Sequence, residues 1–168
     1  QWRDDFTKVV PNRATAYSGT AASGFHTDMP FTNMIGNGGI LSTMADLMRW
    51  NENLDHPTVG GQSYVDAMQT RMRLTSGRTI SYALGLIVNE YRGVREVSHS
   101  GSTAGYQTYL ARFPDQHVSV AVWCNYAGAA PGILAHQVAD LVLTRTPAVA
   151  QASAMKVEVP KAEVARWA

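Results

Sequence analysis

The densest chemistry in the chain is the run His99-Ser100-Gly101-Ser102-Thr103-Ala104-Gly105. An imidazole and hydroxyls beside a glycine can bind a carboxylate or a carbonyl, and the missing Cβ lets a ligand approach the backbone. Attack by a serine needs more: a base to take its proton, and donors for the oxyanion. The run holds no G-x-S-x-G elbow, because Gly101 to Gly105 has its serine one place early. Ser-x-x-Lys occurs once, at Ser153 to Lys156. That pair lies in an Ala/Pro-rich tail, with no buried helix to press Lys156 against Ser153 and lower its pKa, so it is set aside as a chance match.

Other chemistries fare worse. Gly36 to Leu41 falls short of a dinucleotide fingerprint, lacking the third glycine and a preceding strand. The five histidines (His26, His56, His99, His117 and His136) are far apart and none has a partner at metal-ligand spacing, so no metal site is expected. His136, in a helical stretch, is expected to be a surface residue or one satisfied by neighbours. Cys124 is single and sits in an alternating apolar run, which predicts a buried thiol. Net charge is +1, and the longest basic grouping is Arg71, Arg73 and Arg78, expected at a solvated helix end and loop. That distribution speaks against nucleic-acid binding. No stretch has the length and apolarity of a membrane span.

The elements that must position the run follow from periodicity. Residues 1–33 are rich in small and polar types and predict loop with short extended pieces. Thr43 followed three residues later by Asp46 is a capping-box pattern, and Met44, Leu47, Met48 and Leu54 form a stripe at helical spacing that Pro57 ends. A weaker helical pattern covers 63–74. From residue 80 the period becomes two, with Tyr82, Leu84, Leu86 and Val88 alternating. Arg92-Gly93 is a turn, and the strand-like runs 105–113 and 117–125 are joined by Pro114-Asp115-Gln116. Short links between strands predict an antiparallel meander over 80–124. Residues 131–145 restore the helical period, with Pro131 in the first turn. The fold class is therefore α+β, a sheet meander flanked by helices, over residues 1–145. Residues 146–168 are expected to be a linker and the start of a further C-terminal module.

Three motifs together carry a resemblance. Gly36 to Leu54, then "YALGLIV", then the stretch from His99 to Asn125 are similar to the C-terminal half of the serine β-lactamase and penicillin-binding-protein family. More narrowly, they resemble its class C-like branch, which includes esterases and D-amino-acid peptidases. "PNRATAYS" at 11–18 is similar to a segment found ahead of that glycine pair. The resemblance implies that His99-Ser100-Gly101 matches the family's lysine-threonine-glycine strand, with His99, Ser100 and Gly101 lining substrate and the Ser102 N–H as an oxyanion donor. It also implies a nucleophile from serine-x-x-lysine and a base from tyrosine-x-asparagine. The chain contains no Tyr-x-Asn.

The expected function is accordingly that of part of a serine hydrolase, acting through an acyl-enzyme on the amide or ester bond of a β-lactam, D-amino-acid peptide or ester. No cofactor is expected, and the chain alone is expected to be inactive. A start at Gln1-Trp2-Arg3 fits a piece of something longer. Periplasmic or extracellular placement is implied by the resemblance alone. Two other readings stand beside it: a non-catalytic binding or sensor module on the same fold, and an unrelated α+β interaction domain with the His99 strand covered. Strand 117–124, uncharged and proline-free, is expected to be an open edge. Through it the chain would self-associate, hold a missing N-terminal segment, or aggregate.

Overall fold

The computed structural model of the chain describes residues 5, 7–30, 36 and 38–143. The tail from residue 144 onward, including Ser153, Lys156 and the proposed linker and module, lies outside them. The core is a four-stranded antiparallel sheet, β3 (Ile87–Tyr91), β4 (Val94–Thr103), β5 (Tyr106–Phe113) and β6 (Val118–Cys124), in simple sequence order. A hairpin of β1 (Tyr17–Thr20) and β2 (Gly24–Thr27) precedes it, within the stretch predicted to be mostly loop. Helices α1 (Met44–Asn53) and α2 (Gly61–Gln69) come next, and α3 (Pro131–Val142) closes the described chain.

The meander starts later than the alternation suggests. Residues 81–86 are irregular: the Ala83 N–H bonds the Leu86 carbonyl, and Gly85 turns the chain at φ 75°. Ala83, Leu86 and Val88 are buried while Leu84 is 51% exposed, so a turn rather than a pleat produces the first part of the pattern. Likewise α2 stops at Gln69 instead of continuing to 74. Met72 and Leu74 join an extended turn, with Met72 N–H to Tyr82 O at 3.0 Å and Leu74 N–H to Arg78 O at 2.9 Å. Arg71 is tied to the sheet, its Nε donating to the Val88 carbonyl at 2.9 Å.

Both faces of the sheet are covered. On the first, Val94, Ala111 and Phe113 meet Ala135 and Ala139 of α3. The second face buries Met68 of α2 against Ala83, Leu86, Val88 and Val97. Strand alternation decides which residue goes where. Val97 and Arg112 are cross-strand partners, and both look toward the α1–α2 side. The Arg112 guanidinium, 1% exposed, pairs there with Asp55 just past α1. Asn51 of α1 donates to Ser119 Oγ of β6 at 2.7 Å. Helix α1 is capped as predicted, with the Asp46 N–H on Thr43 Oγ1 at 3.1 Å. Of the apolar stripe Leu54 is buried, Leu47 and Met48 are half-buried and Met44 is exposed, while Asn51 and Asn53 are buried too. Asn53 holds the following loop by accepting from the Thr58 and Val59 N–H groups. Apolar burial and hydrogen bonding together fasten this helix.

On the α3 face, Glu96 is buried yet satisfied. Its Oε1 accepts from Tyr109 at 3.1 Å and lies 2.9 Å from His136 Nε2. Tyr91 stacks on the His136 ring at 4.0 Å and donates to Asp140 at 3.0 Å. His136 is thus a satisfied residue, as its position suggested, whereas Cys124, expected to be buried, is only half-buried at the end of the outer strand β6. Burial pushes the Tyr109 phenol above its ordinary value, the Glu96 charge adds to the rise, and a hydrogen bond with Ser98 opposes it. Because the folded pKa exceeds the unfolded one, the neutral phenol's contribution is whole below about pH 10 and is lost as pH climbs through the folded value. Urea unfolding as a function of pH should therefore show a steeper loss above pH 10 in the natural chain than in Tyr109→Phe. The variant should start about 1 kcal/mol lower at neutral pH, having lost one hydrogen bond. Parallel pH slopes for the two proteins would contradict this account.

Candidate functional site

The two turns at either end of β4 determine what the His99 run presents. Arg92 and Gly93, both at positive φ, form a two-residue link from β3, closed by the pair Tyr91 and Val94. Ala104, at φ 47°, and Gly105 form a two-residue link to β5, closed by Thr103 and Tyr106. The closing pair of a two-residue hairpin exchanges both backbone hydrogen bonds, and every second pair after it does the same. Counting from Val94, residues 94, 96 and 98 bond to β3. Counting back from Thr103, residues 103, 101, 99 and 97 bond to β5. The two counts agree in parity, so the backbone groups of Ser100 and Ser102 point away from β5.

Nothing pairs with them there. β3 begins at Ile87, opposite Ser98, while β5 accompanies β4 to Thr103. Beyond Ser98, β4 is an edge strand on that side. Among the described residues no backbone hydrogen bond takes the outward groups of Ser100 or Ser102. This is a short length of open ladder, the geometry that receives an extended peptide as an added strand.

The side chains alternate about this edge. His99 and Gly101 share the α1–α2 face, and Ser100 and Ser102 share the other. A ligand continuing the sheet lies between the two faces, within reach of both sets. His99 Nε2 is 3.2 Å from the Tyr82 hydroxyl, the rings meeting edge to face at 5.9 Å. Tyr82 was expected as one more residue of a strand's alternation. It lies instead in the irregular segment, where it holds the imidazole, and no spacing signal marks that role. Ser102 Oγ accepts from Gln107 Nε2 at 3.0 Å, which anchors the residue carrying the candidate oxyanion N–H. The run is not a closed cavity: two surface hollows flank Arg112, away from these residues.

The N-terminal segment braces the neighbouring hairpin tip. Gly105 N–H donates to the Asp28 carbonyl at 3.0 Å, and a Cβ on Gly105 would come within 2.8 Å of the Tyr17 carbonyl oxygen. That close approach is why glycine stands there. Tyr106 donates to the Ala14 carbonyl and receives Arg13 Nε at 3.3 Å. The Asn125 side chain donates to the Thr15 carbonyl at 2.8 Å. The "NRATAY" stretch thus acts as a strap across the end of β5 and β6.

The sequence pattern of the beta-lactamase family matches residues 3–143. The chain belongs to the beta-lactamase family. It is 24% identical over 119 residues to a D-aminopeptidase of Brucella ovis, covering 71% of this chain and 23% of that protein. To a D-aminopeptidase of Gluconobacter oxydans it is 22% identical over 124 residues, covering 74% and 24%. Its fold is similar to that of the octameric penicillin-binding protein homologue from Pyrococcus abyssi, with a TM-score of 0.67, 26% identity, and coverage of 80% of this chain and 31% of that one. The chain spans about a quarter of the length of the curated relatives it matches.

Gly101 has a second constraint that its place in a motif did not suggest. A Cβ there would lie 2.5 Å from Thr108 Oγ1, its cross-strand neighbour. Bulk at 101 therefore carries a stability cost of its own, because Thr108 must move first. Gly101→Ala should cost about 1–3 kcal/mol by overpacking. Thr108→Ala should relieve most of that, so the double mutant shows a coupling of roughly 0.5–3 kcal/mol in a denaturant cycle. Strictly additive effects would show that the two side chains do not compete for this space.

Proposed function

We propose that this chain supplies the substrate-binding strand of a serine hydrolase that cleaves amide bonds of peptides bearing D-amino acids through an acyl-enzyme. The observation that carries the reading is the open ladder at Ser100 and Ser102, with Gly101 between them and His99 held by Tyr82. A peptide laid along this edge gains backbone hydrogen bonds from Ser100, and its register brings a scissile carbonyl to the Ser102 N–H. That N–H donates to the oxygen on which negative charge develops in the tetrahedral intermediate. The His99 imidazole and the Ser100 hydroxyl bind the substrate carboxylate or the neighbouring carbonyl. The D-aminopeptidase relatives favour peptides over β-lactams and esters as the substrate class.

The nucleophile and its base are the groups this reading takes from outside residues 1–143, which contain neither Ser-x-x-Lys nor Tyr-x-Asn. Without them the strand still binds but does not turn over, since loss of the serine and its base removes several orders of magnitude of rate. The 168-residue chain should give no hydrolysis of a D-alanyl p-nitroanilide or a chromogenic β-lactam above buffer. Turnover abolished by Ser153→Ala would overturn the assignment of the nucleophile elsewhere. A D-alanyl dipeptide should shift the amide resonances of residues 99–103 selectively, and shifts elsewhere with none here would remove this strand from the site.

Joined to a segment that carries the serine-x-x-lysine and tyrosine-x-asparagine elements, the strand should show its role kinetically. His99→Ala should lower kcat/KM by about 10- to 1000-fold, because the imidazole assists without attacking. An unchanged kcat/KM would sink that role.

A further inference from the structure

An imidazole can serve a site as a base, as an acceptor or as a donor, and the position of its ring proton decides which. At His99 the group that bears on this is Tyr82. The Tyr82 hydroxyl lies 3.2 Å from His99 Nε2 and has no other hydrogen-bond partner among the described residues. Nδ1 of the same ring has none there at all. The phenol is delivered by fixed backbone. Tyr82 O receives the Met72 N–H at 3.0 Å, Ser81 O receives the Val88 N–H at 2.8 Å, and the Ala83 N–H bonds the Leu86 carbonyl at 2.7 Å. Tyr82 also bridges to Ile87, the residue of β3 that lies opposite Ser98. Each of these contacts is made within residues 72–99.

The pairing has a preferred direction. A phenol O–H is a good donor, while its oxygen, conjugated with the ring, is a weak acceptor; an unprotonated imidazole nitrogen is a strong acceptor. In the neutral ring the favoured arrangement is therefore O–H to Nε2, which leaves the ring proton on Nδ1. In the imidazolium both nitrogens carry protons. Nε2–H then turns to the phenol oxygen, and Nδ1–H is unchanged.

We propose that Tyr82 is a positioning residue that holds His99 in the Nδ1–H tautomer, so that the imidazole serves the site as a hydrogen-bond donor and not as a base. Nδ1 has no lone pair with which to accept a proton, and the lone pair of Nε2 is taken by the phenol. The carboxylate or carbonyl oxygen of a bound peptide then receives the Nδ1–H, and taking the nucleophile's proton is left to another group. That part in binding rests on the peptide reading above, whereas the tautomer does not.

Long-range nitrogen–proton correlation spectra of the histidine-labelled 168-residue chain read the ring proton directly. They are taken at a pH high enough that the ring is neutral, with His99 assigned by its absence from His99→Asn. The expected pattern is that of the Nδ1–H tautomer. Tyr82→Phe keeps the edge-to-face contact and the backbone bonds, and should move His99 to the Nε2–H form that free histidine prefers. An Nε2–H pattern in the unaltered chain, or a pattern that Tyr82→Phe leaves unchanged, would overturn the proposal. A tyrosine that only packed against the imidazole would give that unchanged pattern. Binding of a D-alanyl dipeptide separates the two nitrogens a second way. An Asn amide nitrogen stands where Nδ1 stands, and a Gln amide nitrogen where Nε2 stands. His99→Asn should bind within about threefold of the unaltered chain, and His99→Gln about tenfold more weakly. Tyr82→Phe should cost about threefold in the unaltered chain and nothing beside His99→Asn, where no tautomer is left to fix. Binding kept by Gln and lost by Asn would make Nε2 the donor and sink the idea. Failure of the dipeptide to bind the unaltered chain would count against the peptide reading alone, because the spectra still decide the tautomer.

Discussion

The register of β4 between its two tight turns is the constraint on which the molecule depends. Ten residues of β4 face only five of β3, while β5 follows it to the end. The unmatched half is the candidate site. Shifting either turn by one residue would exchange the faces of every side chain on β4. His99 would leave Tyr82, Glu96 would leave His136, and the outward backbone groups would belong to His99 and Gly101. Positive φ at Arg92, Gly93 and Ala104 suits the link geometries that hold this register against slippage.

Buried polar contacts fasten the helices to the two faces of that ladder. Glu96 meets His136 and Tyr109 beneath α3, while Arg112 meets Asp55 beyond α1. A buried charge is costly unless it is paired, and losing one partner costs more than the pair contributes. Such contacts therefore add selectivity about which helix lies where, beyond what the apolar residues provide. Arg112 is incompletely met: its Nε and Nη1 have no hydrogen-bond partner among the described residues, and it borders both surface hollows. The α1–α2 face joins these polar contacts to the apolar packing of Met68 against Ala83, Leu86, Val88 and Val97, and the α3 face carries the aromatic and aliphatic packing around Phe113.

The strap formed by residues 13–17 ties the candidate-site end of the sheet to the chain's N-terminal hairpin. Its contacts include side-chain bonds to its carbonyls from Tyr106 and Asn125 and backbone bonds of Tyr17 with Asn125 and Ala127. Such bonds can be made by a segment of almost any sequence, which is why a stretch without periodicity could still dock with defined geometry. Ala16 and Gly105 are the exceptions. Ala16 is fully buried, and Gly105 lies where a Cβ would collide with Tyr17.

By itself the sequence determined the α+β class, the antiparallel order of the last three strands, the Thr43 cap, helix α3 and the beta-lactamase family. These follow from local rules of periodicity, capping and turn chemistry, which act over a few residues and leave their mark in order along the chain. Tertiary structure decided the rest. That β3 starts only at Ile87, that Tyr82 holds His99, and that Thr108 crowds Gly101 all depend on residues brought together from other strands or from an irregular turn. How α1 meets the sheet was likewise not legible along the chain: beside Leu54 of its apolar stripe it is held by Asn51 and the nearby Asp55, whose partners Ser119 and Arg112 come from distant strands. Above all, which side of β4 is open follows from a difference in length between its two neighbours. Pattern along one strand carries no record of where a neighbouring strand begins.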